Sequence, residues 1–143
     1  MSRADTRRIR GALSGGVAAG AEAAAARFAE RAGREGLVDV AYARFDSPLG
    51  SGRLAATERG LVAVALPNVG EDEFLAQLAA GVSPRVLELP ARLDGARREL
   101  DEYFDGRRRA FELELDWRLV HPGFYGRVLR ATAKLPYGVT ASY

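Results

Sequence analysis

An α+β fold is predicted for this chain: a small antiparallel sheet with flanking helices. Three observations predict it. Between Val38 and Leu66, three short runs of β-forming residues are separated by turn signals too brief for a parallel crossover. Two helical patterns follow, one from Glu71 and one from Ala91, each with apolar residues at helical spacing. A third closes the chain, with Phe124, Val128, Leu129, Thr132 and Leu135 recurring at steps of three or four.

Residues 1–36 are rich in Ala, Gly and Arg. Gly15-Gly16 and Gly20 predict disorder in their first half, and Ala21 to Ala32 predicts a short helix with Phe28 as its one large apolar anchor. Thr6-Arg7-Arg8 begins a twin-arginine pattern, but Arg10 and Glu22 interrupt the apolar stretch that an export signal needs. Val38 to Phe45 is the first strand and Ser47-Pro48-Leu49-Gly50 turns it, with Asp46 as a turn former. Arg53 to Thr57 is the second strand, and Glu58-Arg59-Gly60 turns again. Leu61 to Leu66, nearly all apolar, is the third and is expected to be covered on both faces.

Glu71-Asp72-Glu73 places three acids where a helix dipole favours them, with Phe74, Leu75 and Leu78 as the buried stripe. Val86 to Leu89 is a short extended piece between prolines. The next helix spans Ala91 to Asp105, its buried side formed by Leu93, Ala96, Leu100, Tyr103 and Phe104, and Gly106 sits where a C-cap glycine belongs. Gly95 inside it suggests a close helix–sheet contact. Phe111 to Asp116 alternates as an edge strand would, and Trp117 to Gly123 reads as a linker. The closing helix must stop at Pro136, where Pro136-Tyr137-Gly138 signals a turn into an extended Val139 to Tyr143.

Charge is distributed unevenly. Residues 1–36 carry seven cations against four acids, residues 37–116 ten against fifteen, and residues 117–143 four against none. An acid-free basic end after an acidic middle is the asymmetry expected when the last segment faces a polyanion. Arg107-Arg108-Arg109 has two readings, a phosphate patch or compensation of the preceding helix and its acids, and the second is the simpler. The chain has no cysteine, which excludes disulfides, thiolate metal sites and thiol catalysis among its own residues. No apolar run is long enough for a membrane span, and neither a Gly-x-Gly-x-x-Gly nor a phosphate-loop lysine points to a nucleotide cofactor.

The pattern Phe124-x-x-x-Val128-Leu129, followed by Leu135-Pro136-Tyr137-Gly138-x-Thr140-x-Ser142-Tyr143, resembles the opening of the DNA-binding domain of the methylated-DNA–protein-cysteine methyltransferases. Upstream, Ser47-Pro48-Leu49-Gly50, Glu58-Arg59-Gly60-Leu61 and Leu100-Asp101-Glu102-Tyr103-Phe104-x-Gly106 with Phe111 and Leu115-Asp116 are similar to that family's amino-terminal domain. The resemblance implies a ribonuclease-H-like domain at 37–116, preceded by the 1–36 extension. Residues 117–143 would then be the linker and first helix of a DNA-binding domain truncated before its helix-turn-helix and Pro-Cys-His-Arg motif. It also implies a cytoplasmic protein that repairs O6-alkylguanine in double-stranded DNA by moving the alkyl group to its own cysteine, without a cofactor. The acceptor is absent here, so the chain is expected to be inactive alone, or to act as a non-catalytic domain with a separate carboxy-terminal half.

By the same resemblance Tyr143 would stand against the phosphate beside an extruded base, and Tyr125 near the DNA backbone. The chain departs from the family pattern at Tyr125 and Gly126. The remaining polar candidates have plainer readings. His121 is the one histidine and lies in the linker, with no second histidine or cysteine for a metal or a thiol pair. Asp46, Asp101, Glu102 and Asp116 are the acids that a nuclease of ribonuclease-H architecture would gather around magnesium. Their spacing matches no metal motif, and Asp101 and Glu102 read as a solvated helix face.

Overall fold

The computed structural model describes residues 3–142. They divide into two compact units, one up to Leu37 and one from Val38. In the first, α1 runs as one helix over Arg3–Arg34. This corrects the expected disorder and the short helix at Ala21 to Ala32. Alanine, the strongest helix former, fills eleven of those 32 positions, and no proline interrupts them. Phe28 is 64% exposed.

The second unit is built on a four-stranded sheet of order β3-β2-β1-β4, with β1 at Val40–Ser47, β2 at Gly50–Thr57, β3 at Gly60–Ala65 and β4 at Val86–Glu88. The first three form the predicted antiparallel meander, with Ala43 opposite Leu54 and Ala55 opposite Ala63. The β1–β2 turn is closed by the Ser47 hydroxyl, which donates to the Gly50 carbonyl at 2.8 Å and accepts from the Leu49 amide at 3.2 Å. Asp46 takes no part in that turn; it lies exposed within β1. β4 adds a parallel pairing to β1, Val40 against Val86 through Tyr42 against Glu88, so the sheet is mixed rather than purely antiparallel.

Side chains alternate across the pleat. One face carries Val40, Tyr42, Ala55 and Ala65 against Phe74 and Leu78 of helix α2, Glu71–Gly81. The other carries Ala41, Ala43, Phe45 and Leu54 toward a short 3-10 turn, Pro90–Leu93, and helix α3, Asp94–Phe104. The expected single helix from Ala91 is therefore two pieces. Gly95 meets nothing within 4 Å, so the close contact inferred for it does not exist. The predicted cap at Gly106 does form: its amide reaches the Tyr103 carbonyl at 3.1 Å and the Arg107 amide the Glu102 carbonyl at 2.8 Å, the paired bonds of a Schellman motif.

Two strand expectations fail for related reasons. β3 lies at the edge of the sheet, and Val64 is 47% exposed, so it is not covered on both faces. Phe111 to Asp116 is not a strand; its backbone pairs with the sheet only at an isolated parallel bridge, Leu115 to Leu61, among the described residues. Its first half is held by α3 instead. The buried carboxylate of Glu99 accepts the Glu112 amide at 2.9 Å and has the Arg108 guanidinium 3.7 Å away, while Arg108 Nε donates to Glu102 at 2.7 Å. Arg107 pairs with Asp105 at 3.0 Å, so two of the three consecutive arginines neutralise acids of the preceding helix and its cap. Glu102 is thus an ion-pair partner rather than a purely solvated group.

The final helix, α4, spans Phe124–Thr132 and stops before Leu135. Its last turn tightens, the amides of Lys134 and Leu135 bonding three residues back to Ala131 and Thr132. Pro136 disfavours helical geometry at Leu135, which explains the early end.

At the sheet's other end, Arg85 donates to both Asp39 oxygens at 2.9 and 2.7 Å, and Ser83 Oγ donates at 2.6 Å. The Arg85 and Ser83 hydrogen bonds, opposed by a smaller desolvation effect, lower the Asp39 carboxyl to about 2. A lowered folded value contributes stability above the unfolded value of about 4 and loses it as pH falls toward the folded one. Urea denaturation from pH 5 to pH 2 should show stability falling mainly below about pH 4, with a shallower fall in Asp39→Asn. Equal slopes would remove Asp39 from the acid response.

Candidate functional site: a clasp and an arginine-lined groove

The turn between β2 and β3 meets the segment leading to α4. Gly60 has φ +130°, and a Cβ placed on it would lie 2.3 Å from the Glu114 carbonyl oxygen. Only glycine permits both that backbone conformation and that approach. The contact is completed by two main-chain bonds, the Leu61 amide to Glu114 at 2.8 Å and the Asp116 amide to Leu61 at 2.9 Å.

Asp116 locks the junction. Its residue is 8% exposed, and it accepts the Thr57 hydroxyl at 2.5 Å, Arg118 Nε at 2.8 Å and the Arg118 amide at 3.1 Å. Burial pushes its pKa up, but the Thr57 hydroxyl, the Arg118 amide and the Arg118 guanidinium together outweigh burial and hold it below the usual carboxylate range. These three donors favour the charged carboxylate, which ties the β2 strand to the outgoing segment.

Beside this tie opens a groove of about 370 Å³, lined by Arg59, Leu115, Asp116, Trp117, Arg118 and Arg130. The Arg130 guanidinium lies over the Trp117 ring, 5.3 Å from its centroid. A smaller apolar recess of about 180 Å³ shares Leu115, Asp116 and Trp117 and continues along Leu61 to Val64 and Val120. α4 brings Arg130 to the groove because Gly126 packs tightly: a Cβ there would stand 2.7 Å from the His121 carbonyl oxygen.

The residues singled out from the sequence are dispersed. Tyr125 is 66% exposed on the first turn of α4 and does not line the groove. Tyr143 lies outside the described residues. His121 contributes its backbone to the Gly126 contact and has an exposed side chain. Asp46, Asp101, Glu102 and Asp116 sit on β1, α3 and the clasp. Among the described residues no group of three or more His, Cys, Asp or Glu side chains could hold a metal ion. Sequence reasoning missed Arg59, Trp117 and Arg130 as one surface. The signal available for Asp116 was its spacing to Arg118, since a carboxylate readily accepts the amide two residues on.

A small mixed sheet flanked by helices defines a ribonuclease-like α+β domain. The family model for that domain of 6-O-methylguanine DNA methyltransferase matches residues 40–117. The chain belongs to this family. A search of curated proteins returned no match. Among the described residues, no helix is long and apolar enough to cross a membrane.

Two outcomes test the clasp. Gly60→Ala adds a clash to a strained backbone and should cost about 1–3 kcal/mol in urea denaturation followed by Trp117 emission. Asp116→Asn keeps the size but removes the charge; it should cost about 1–3 kcal/mol at pH 7. Because the Asp116 pKa is lowered, the wild-type advantage should shrink as pH falls below about 4. A difference from wild type that did not change with pH would show that the charge of Asp116 plays no part.

Proposed function

We propose that this chain supplies the non-catalytic amino-terminal part of an O6-alkylguanine repair protein. The observation that carries this reading is the family match over the ribonuclease-like domain in a chain without cysteine. In the complete repair protein a cysteine thiolate attacks the alkyl carbon of an extruded guanine. The carbon–oxygen bond breaks, and the alkyl group remains on sulfur. No residue here can accept it. The division that follows is a 1–36 extension, a ribonuclease-like domain at 37–116, and a linker with the first DNA-binding helix at 117–143, where Tyr125 and Tyr143 would face DNA.

A second reading is that the chain works with a separate carboxy-terminal half. The exposure of Phe124, 69%, and of Tyr125 and Val139 favours it, since large apolar side chains left open to solvent are available for another lobe to cover. Size-exclusion co-elution with a carboxy-terminal fragment of the family tests this, and separate elution at micromolar concentrations would exclude it.

Incubation of the chain with DNA carrying a radiolabelled O6-alkylguanine should leave the protein unlabelled after denaturing electrophoresis. Stoichiometric label on the chain would refute the non-catalytic assignment.

A further inference from the structure

We infer that the groove between the β2–β3 turn and α4 is a phosphodiester-binding site for DNA, seated on the ribonuclease-like domain and distinct from the Tyr125 end of α4. The inference rests on the reading of the chain as part of a DNA-repair protein. The groove brings three arginines, Arg59, Arg118 and Arg130, around a single carboxylate. That carboxylate is already committed, to Thr57 and to Arg118. Arg59 is exposed, and among the described residues neither Arg59 nor Arg130 has an ion-pair partner. The lining therefore carries two uncompensated positive charges.

Their context separates them from ordinary surface arginines. Many other guanidinium groups of this unit are paired: Arg44 and Arg53 share Glu71, each at 2.9 Å, Arg85 holds Asp39, and Arg108 holds Glu102, whereas Arg109 and Arg127 lie over Tyr137 and Phe124 and do not line the groove. Stacking on Trp117 orients Arg130, which lowers the entropy lost when it meets an anion. Arginine's planar fork suits phosphate oxygens. The apolar recess along Leu61 to Val64, continuous with the groove through Leu115 and Trp117, offers a surface for a sugar next to the phosphate. A free inorganic anion would have no use for that recess, so a phosphodiester within a chain fits better than isolated phosphate.

Trp117 is the only tryptophan, so in the folded chain its emission reports the groove and the recess that adjoins it. The full chain is titrated with a short dye-labelled DNA duplex, with anisotropy reporting overall binding and Trp117 emission reporting the groove. Inorganic phosphate is titrated in parallel. Saturable change in both signals with the duplex is expected, with affinity falling about ten- to forty-fold between 50 and 200 mM salt for two or three phosphates engaged. Arg59→Ala should reduce the salt slope by about one, whereas Arg98→Ala, an exposed control on α3, should change it less. Far-UV circular dichroism and the urea midpoint verify that each variant is folded.

Duplex binding by anisotropy with an unchanged Trp117 signal and no effect of Arg59→Ala would overturn the groove assignment and leave the DNA reading intact. No duplex binding at 50 mM salt would overturn both. An equal Trp117 response to inorganic phosphate at the same concentration of phosphate groups would replace the phosphodiester site with a simple anion site.

Discussion

The geometry of the second unit depends on how closely one backbone approaches another at Gly60. With any side chain there, the Glu114 carbonyl would be displaced, and the bonds from Leu61 and Asp116 would part with it. Those bonds are the only pairing that β3 makes beyond β2 among the described residues. They set the direction in which the chain leaves the sheet, and hence where Trp117, Arg118 and α4 lie. Asp116 then makes the arrangement expensive to undo. Opening it would expose a charged carboxylate whose three donors are supplied by both sides of the junction, Thr57 from β2 and Arg118 from the outgoing segment.

Charge bookkeeping explains why a ribonuclease-like sheet need not be a nuclease. A metal site of that kind requires carboxylates to converge with spare acceptor capacity. Here arginines separate them. Glu71 is held between Arg44 and Arg53 at one end of α2, and hydrogen bonding to Arg53, beyond the opposing effect of desolvation, keeps its pKa below the usual range. Glu102 is held likewise by Arg108, against the same opposing effect. Each pair at the surface adds little stability. Together they neutralise Glu71 and Glu102 in place, and after residue 116 Arg118 is held by Asp116.

Local chemistry was legible in the sequence, and relations between distant segments were not. The β1–β2–β3 meander, the acid-led α2 and the Gly106 cap each rest on a few adjacent residues, and each appears as read. The parallel docking of Val86–Glu88 on β1 depends on a crossover through α2 that no local signal encodes. Phe111 to Asp116 alternates like a strand, yet Glu99, thirteen residues before Glu112, takes the amide that a neighbouring strand would need. β3 reads as a buried strand by composition and is an edge because nothing continuous pairs beyond it. Gly126 looked like a weakness in a helix. It is the point where α4 meets the His121 carbonyl, a fact invisible without the fold.

The groove was hidden for the same reason. Arg59, Trp117 and Arg130 are spread over more than seventy positions, and each alone has a bland explanation as a turn residue, a linker aromatic or a solvated helix cation. What joins them is the Gly60 approach at one side and the Gly126 approach at the other, two glycines that bring backbone against backbone where a methyl group could not fit. Among the described residues, those two glycines assemble one surface on which Arg59 and Arg130 have no ion-pair partner.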